Sequence, residues 1–482
     1  MTNASEVTSE TSTTLRGGAL SLSAATLVGL GYCAVAVSAY AILPYAVAST
    51  GPSAIWAVLL TTLAILPTAV SIYMLSTRRP DAGGAYAWAS EGLGPWIGAM
   101  LGFAIIIMVG PLTSLLQPAV GGQTFNALLD AMGIETNFTT GVIGAMVFAV
   151  ICALLVAKNV TLSTKAVSWL FASEAVFMVV FFVFIIIKQS LSGHFVNIFS
   201  AESFTGGFDG FKAALIFTVF ALAVVDVPVS MAEETAEPHR NIPKMTALIL
   251  GLATLAAVLS SYALSVAVTP DELSSDIENA NQVGPVYLIA EQFIGWGKYG
   301  VIITSATSIM ALFIATILFA ARFTHAMARD GLAPQWLGKL DPKHQTPRNA
   351  QLLYVAMAPV LVIGVGIWQG QSLASAYAWG GGIFSGLVLT IYLLINVAAI
   401  AFFLRRKKHG ESYNPLMHLV IPLIGIVISA WFLYQAFFAN YLNSEAGFVA
   451  AQSIVVAWAV IFILGGISAA IFLARRKSSA QR

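Results

Sequence analysis

Two carboxylic acids stand alone in segments otherwise free of charge, and the chemistry of this chain is to be sought there first. Glu174 is the single charged residue between Lys165 and Lys188, and Asp226 the single one between Lys212 and Glu233. Both stretches are long enough to cross a bilayer. An ionised side chain at membrane depth costs about 2.5–3.5 kcal/mol on insertion scales, so such a residue is a functional candidate by default. Two tasks suit it, carrying a proton and pairing with a cationic cargo; the structural alternative is a hydrogen bond to the backbone of a neighbouring helix. Asp226 also stands two residues before Pro228. Proline removes a backbone donor and clashes with the preceding turn. A helix broken at that depth leaves free amides and carbonyls, tolerated only where they line a cavity or bind something. In the first apolar segment Gly29, Gly31 and Pro44 bracket Val35 to Ala41 in a similar way. Suspect helices in the first and sixth spans match the spacing of an inverted repeat of five helices each, the plan by which secondary transporters hold charged substrate groups at half-helix ends.

The elements that must position these residues follow from composition. Of 482 residues 58% are hydrophobic and 9% charged, and the mean hydropathy is +0.85. That balance belongs to an all-α integral membrane protein embedded in a lipid bilayer. A formal charge of +1 carries no basic excess for nucleic acid. A spanning helix needs about 20 residues with few charges, so the gaps between charges serve as a ruler. Long gaps run 17–77, 92–129, 136–157, 245–270, 299–321, 349–404, 412–444 and 446–474. The first and sixth hold two helices each, with turns near Thr50-Gly51-Pro52 and Gln369-Gly370-Gln371, and the segments carrying Glu174 and Asp226 bring the expectation to 12 transmembrane helices. With both termini cytoplasmic, only Lys188, Lys212 and Lys298 of the 23 lysines and arginines lie outside, as the positive-inside rule demands.

The expected organisation is a disordered cytoplasmic tail over 1–16, a transporter domain over 17–475 and a second tail over 476–482. Within the domain, repeat 1 covers about 17–190, repeat 2 about 208–408, and helices 11 and 12 about 414–475. Cys33 and Cys152 sit in apolar runs without metal-ligand spacing, and no Gly-rich phosphate loop or HExxH motif occurs, so neither a metal nor a cofactor is expected. The loop Thr269–Glu291 carries Asp271, Glu272, Asp276, Glu278 and Glu291, which either draw cations to the outer mouth or are simply solvated.

Three stretches resemble the amino acid-polyamine-organocation permeases. They are Arg79-Pro80-Asp81-Ala82-Gly83-Gly84-Ala85-Tyr86 with Gly92-Leu93-Gly94-Pro95-Trp96; then Ala232-Glu233-Glu234-Thr235-Ala236-Glu237-Pro238-His239-Arg240-Asn241-Ile242-Pro243; and Ala328-Arg329-Asp330-Gly331-Leu332-Ala333-Pro334-Gln335-Trp336 with Thr346-Pro347. The resemblance covers residues 17–475 and implies a five-plus-five inverted repeat with helices 1 and 6 broken around a central site, working by alternating access. Its loop charges suggest ion pairs at an inner gate, with Arg240, Lys244, Arg322 and Arg329 beside Glu233, Glu234 and Asp330.

Carried over from Pro238, the family's sixth-helix acid falls on Asp226 and its gating aromatic on Phe220, with Ala223 between them. Carried over from Pro44 and Gly51, the first-helix Gly-Ser-Gly falls on Val37-Ser38-Ala39, where the serine alone matches, with Ala41 alongside. Gly29-Leu30-Gly31-Tyr32, similar to the first helix of polyamine and broad amine permeases, leaves a shifted contact open. Glu174 falls where proton-coupled relatives often hold a lysine, and with Asp226 it is the candidate for proton coupling. Two acids and no buried cation tilt the cargo toward an amine or cationic amino acid.

The resemblance thus implies a small-molecule permease, monomer or homodimer, in the cytoplasmic membrane, importing an amino acid, small amine or polyamine, with a proton favoured over sodium as coupling ion. An exchanger of amines or amino acids is the alternative. A channel would need repeated filter motifs, and a membrane enzyme a nucleophile–base pair or metal cluster; the sequence displays none. Lesser candidates are the hydroxyls Ser305, Thr307, Ser308 and Thr316, suited to sodium or to bonds within their own helix; Gln117, Tyr377, Trp379 and Tyr392, lining a cavity or packing; Gly380-Gly381-Gly382, a flexible point or a close-packing patch; and His325, a sensor at the end of a span.

Overall fold

The computed structural model describes residues 22–79, 83–157, 164–223, 235–279, 284–341, 346–408, 412–442 and 451–480. The described chain is helical, with ten helices long and apolar enough to cross a membrane. The principal helices are α1 (Leu22–Cys33), α2 (Val35–Val37), α3 (Leu43–Thr50), α4 (Ala54–Arg78), α5 (Ala85–Leu93), α6 (Pro95–Ile107) and α7 (Thr113–Ala131). Next come α8 (Phe138–Ala157), α9 (Thr164–Leu191), α10 (Gly207–Leu222), α11 (Pro238–Ala267), α12 (Pro270–Asn279), α13 (Pro285–Ile294) and α14 (Gly297–Arg329). The last are α15 (Arg348–Trp368), α16 (Leu373–Lys408), α17 (Ile421–Phe432) and α18 (Ala451–Ala480).

The longest apolar run, Gly29–Arg78, is two helices in sequence because Gly51-Pro52-Ser53 forms a 3-10 turn between α3 and α4. Gly51 has φ 64°, and a Cβ there would lie 2.7 Å from the Thr205 hydroxyl, so geometry and space both require glycine. Proline opens α6, α12 and α13, where its missing N–H costs the helix nothing. Ahead of α12, the Thr269 amide and hydroxyl both bond to Glu272 Oε2 while Thr269 Oγ1 accepts from the Glu272 amide, a capping box. Those bonds hold the Glu272 carboxyl below its usual range.

Lipid supplies no hydrophobic drive between helices, so packing and interhelical hydrogen bonds hold the bundle. Asn396 of α16 donates to Thr68 Oγ1 of α4 at 2.8 Å and accepts from Ser71 Oγ at 2.7 Å, all three buried. Thr61 and Thr218 join α4 to α10 at 2.7 Å. Cβ atoms at Gly206 and Gly210 would lie 2.1 and 2.2 Å from the Ser49 carbonyl, so the start of α10 lies backbone to backbone on α3. The last helix, α18, packs along α6, and the Trp458 indole donates to Thr390 of α16 at 3.1 Å. Outward faces carry Leu63, Val180, Ile303, Val360 and Ile463, the surface a bilayer would cover.

Ion pairs stand at both ends of the bundle, most of them around Glu91 and Asp330 at one of them. Glu91, on the short helix α5, pairs with Arg79 and lies 3.9 Å from Arg406, while Arg405 donates to its backbone carbonyl at 2.5 Å. Tyr86 donates to Asp330. Of the loop pairs expected from sequence, Arg329 lies 3.7 Å from Asp330; Arg240 lies 3.7 Å from Glu237, a partner the sequence reading did not name. Glu233 and Glu234 fall outside the described residues. Nδ1 of His325 pairs with the Gly338 carbonyl at 2.6 Å, which makes it a donor to a backbone acceptor. At the opposite end Tyr287 of α13 donates to Asp130 of α7 at 2.8 Å, and Lys298 pairs with Glu291 at 2.6 Å.

Candidate functional site

The first span is interrupted at Ala34, whose φ of 40° and ψ of 59° put it in the left-handed region. A non-glycine residue held there costs of order 1–3 kcal/mol and persists where its surroundings over-determine it. The short turn Val35–Val37 follows and widens into a π-helical turn, Ser38–Ile42, before α3 begins. The break therefore lies one residue ahead of the Val35–Ala41 stretch marked by its flanking glycines and proline. The amides that open α2 are among those a helix start leaves without an i−4 partner. Facing the break, α10 ends at Leu222, and Ala223 leaves the helical region with ψ 64°. A second π-turn, Met108–Leu112, joins α6 to α7; Pro111 within it cannot donate to the preceding turn, and the helix widens.

These irregular segments surround one cavity of about 140 Å³, roughly ten times the ~10–15 Å³ that holds a single water. Ala34, Val37 and Ser38 form one wall, Met108, Thr113 and Gln117 a second, and Ile309, Leu312 and Thr316 of α14 a third. Phe220, Ala223, Tyr377 and Phe384 close the remainder. The Phe220 ring sits 5.0 Å from that of Phe384 and 5.8 Å from that of Tyr377. It also lies on Gly381, where a Cβ would come within 2.8 Å of the ring. Of the two readings left open for Gly380-Gly381-Gly382, close packing is the one observed, since α16 runs through all three without interruption.

Of the residues singled out from sequence, Val37, Ser38, Phe220 and Ala223 line this cavity together. Ala39 is buried in the core and does not line it. Ala41 lines a smaller cavity of about 30 Å³ with Tyr40, Gln123 and Ser305, nearer the Asp130 end. Asp226 lies outside the described residues. Gln117, Thr316 and Tyr377 line the central cavity, whereas Trp379 donates from its indole to Ser453 of α18 at 2.8 Å. Cys33 lines it too, a residue that the sequence marked only by its place in an apolar run without metal-ligand spacing.

Glu174 is 5% exposed and stands outside the cavity lining. Its carboxyl lies beside the hydroxyls of Thr307 and Ser308 on α14. Tyr40, in the π-turn of the first span, is near enough to feel its charge and accepts from Thr304 at 3.5 Å. Glu174 is thus tied through one face of α14 to the broken segment that forms the cavity wall. Sequence placed these hydroxyls on one helix; the division of labour among them, Thr307 and Ser308 toward Glu174 and Thr316 toward Gln117, comes from the fold. Among the described residues no group of three His, Cys, Asp or Glu side chains is placed to hold a metal.

A many-span helical bundle enclosing a small cavity between a broken helix and its neighbours defines a membrane carrier of small molecules. The profile of the family described as Amino acid permease matches residues 20–476, and the chain belongs to that family. It is 26% identical over 430 residues to the methylthioribose transporter of Bacillus subtilis (strain 168), covering 85% of this chain and 86% of that protein. It is 25% identical over 380 residues to the low-affinity putrescine importer PlaP of Escherichia coli (strain K12), covering 75% and 76%. Over 376 residues it is 23% identical to the vacuolar cationic amino acid transporter 8 of Arabidopsis thaliana, covering 76% of this chain and 59% of that protein. The protein is a multi-pass membrane transporter.

Proposed function

We propose that this transporter is a secondary active permease that imports a small amine, polyamine or amino acid across the cytoplasmic membrane by alternating access, driven by a proton gradient. The observation that carries the reading is the central cavity built on the Ala34 break, with the buried Glu174 held against the adjoining helix α14. Glu174 and Asp226 are the proton-coupling candidates, and Ser38, Phe220 and Ala223 the cargo contacts. Methylthioribose and putrescine, named for two relatives, share small size and several hydrogen-bond donors, which suits a cavity of this volume.

In the proposed cycle both termini are cytoplasmic, which leaves few cations outside. The Tyr86–Asp330 contact and the Glu91 cluster then belong to the inner mouth, and the Tyr287–Asp130 bond to the outer one. Rocking of one bundle against the other breaks these ends in turn. The test is uptake into proteoliposomes of labelled putrescine, arginine, a small neutral amino acid and an aromatic one, with and without an inward proton gradient. Saturable uptake accelerated by the gradient is expected. Gradient-independent uptake that requires a second solute inside the vesicle would replace import by exchange.

A further inference from the structure

Helix α9 carries an outward stripe of apolar side chains. Val176, Val180, Phe184, Ile187 and Leu191 recur at steps of three and four and are all exposed, the spacing that places residues on one side of a helix. With 28 residues the helix is about 42 Å long, close to the roughly 40–45 Å of a bilayer measured across its headgroups. Leu191, the last member of the stripe, therefore stands at headgroup height. Lys188, in the final turn, donates to the Phe293 carbonyl of α13 at 2.6 Å, which places this end beside the Tyr287–Asp130 bond.

The apolar surface does not stop where the helix does. Leu191 is 84% exposed, and beyond it Phe195, Phe199 and Phe208 are 72%, 79% and 61% exposed. A slack loop would fold inward to hide such rings, but this one is held in place. Gly193, at φ 79°, closes α9, with the His194 amide on the Gln189 carbonyl at 2.9 Å. Asn197 gathers the next turn: its side-chain oxygen accepts from the Phe199 amide at 3.0 Å, and its carbonyl from the hydroxyls of Ser200 and Ser203. The Trp56 indole of α4 donates to the Ile198 carbonyl at 2.7 Å, and Gly206 and Gly210 press on the Ser49 carbonyl. The loop is thus fixed to the turn between α3 and α4, with its rings outside the core.

We propose that residues 191–208 are a membrane-interface anchor, seated with Phe195, Phe199 and Phe208 at the boundary between lipid headgroups and acyl chains. Lipid is the occupant because the patch continues the lipid-facing stripe of α9 at the height where the headgroups begin. Apolar side chains in that boundary lie about 5–10 Å deep without crossing the bilayer. The neighbouring charge does not oppose the seating: Lys212 holds its ammonium 5.3 Å from the centre of the Phe208 ring and pairs with Asp209 at 2.6 Å, its stem lying along apolar surface and its head at the polar edge. The anchored elements are α3 and the start of α10, the helix that carries Phe220 to the cavity. This inference goes beyond the transport reading and holds for any cargo or coupling ion.

The experiment places a nitroxide spin label at Phe195→Cys, Phe199→Cys or Phe208→Cys, one at a time, in the full chain carrying Cys33→Ala and Cys152→Ala, in liposomes. Depth is read by power-saturation electron paramagnetic resonance, as collisions with oxygen, which enters lipid, against collisions with a nickel chelate, which stays in water. Val180→Cys is the lipid reference and Asp271→Cys, at an exposed acid of α12, the water reference. All three loop positions are expected to read closer to Val180 than to Asp271. Readings closer to Asp271 overturn the inference. Dipolar broadening of the label at 199 that disappears on dilution with unlabelled protein also overturns it, since a second copy would then cover the patch. Photolabelling of the unsubstituted chain from a lipid bearing a diazirine near its headgroup, read by mass spectrometry, repeats the test without mutation: adducts within 191–208 are expected, and their absence overturns the inference.

Discussion

Replacing Gly381 by alanine tests whether Phe220 is a wall of the cargo site or only a packing residue. A Cβ at 381 would lie 2.8 Å from Phe220 Cε1 and 3.0 Å from Cδ1. Ordinary carbon contacts begin near 3.5 Å, so the ring must retreat by about 0.5–0.7 Å. The seat cannot readily give instead, because Ser385 of the same helix donates to the Ile216 carbonyl of α10 at 2.9 Å and ties the two elements together. Phe384 and Tyr377 flank the ring, which leaves the cavity as the direction of escape. Overpacking of this kind costs about 1–3 kcal/mol. If the displaced ring occupies cargo space, that cost appears as a rise in KM of about 5- to 150-fold. The assay is the concentration dependence of uptake, with thermal melting of the detergent-solubilised protein alongside. Gly364→Ala is the control, because nothing lies within 4 Å of a Cβ at that helical position, and it should be neutral or stabilising by about 0.5–1 kcal/mol. Phe220→Leu combined with Gly381→Ala should recover part of the lost affinity. A Gly381→Ala protein with normal KM would refute the assignment of Phe220 to the cavity wall, whatever happened to its melting temperature.

Cys33 lines the cavity and Cys152 is fully buried, so a maleimide is expected to block uptake in the wild type and in Cys152→Ala but not in Cys33→Ala, with saturating cargo slowing the block; equal sensitivity in Cys33→Ala would place the reactive thiol elsewhere. Glu174→Gln keeps the shape that meets Thr307 and Ser308 but cannot carry the proton, and uptake should lose its acceleration by the gradient while exchange persists; full gradient dependence in that variant would make the acid structural. Asn396→Leu removes the interhelical bonds to Thr68 and Ser71, each worth roughly 0.6–1.7 kcal/mol in membranes, so melting should fall by the equivalent of about 1–3 kcal/mol with KM unchanged.

The membrane class, the all-helical fold and the membership of the permease family were legible in the sequence, for different reasons. Hydropathy is additive along a short window, so uncharged runs announce spans without reference to their neighbours. Loop motifs such as Ala328-Arg329-Asp330-Gly331 have a fixed order that survives when most of the sequence has diverged. The isolation of Glu174 was likewise a one-dimensional fact. Its partners were half legible, since Thr307 and Ser308 were marked as hydroxyls on one helix, but that they meet Glu174 is a relation between helices.

What only the tertiary structure decided is direction. Val37, Ser38, Ala39 and Ala41 are neighbours in sequence, yet two line the central cavity, one is buried in the core and one faces a second cavity. The left-handed turn at Ala34 and the π-turn after it rotate the faces away from regular helical spacing, and nothing in an alanine announces such a turn. Gly381 reads equally as a flexible point or a close-packing residue until the ring of Phe220 is seen to occupy the place of its missing side chain. Gln117 reads as a polar residue that packing could satisfy, until its Nε2 is found on Thr316 and its buried Oε1 without a hydrogen-bond partner. Residue type determines what a group can donate, accept or bury; whether it is satisfied depends on groups about 100 to 200 positions away, and folding alone brings those within 4 Å.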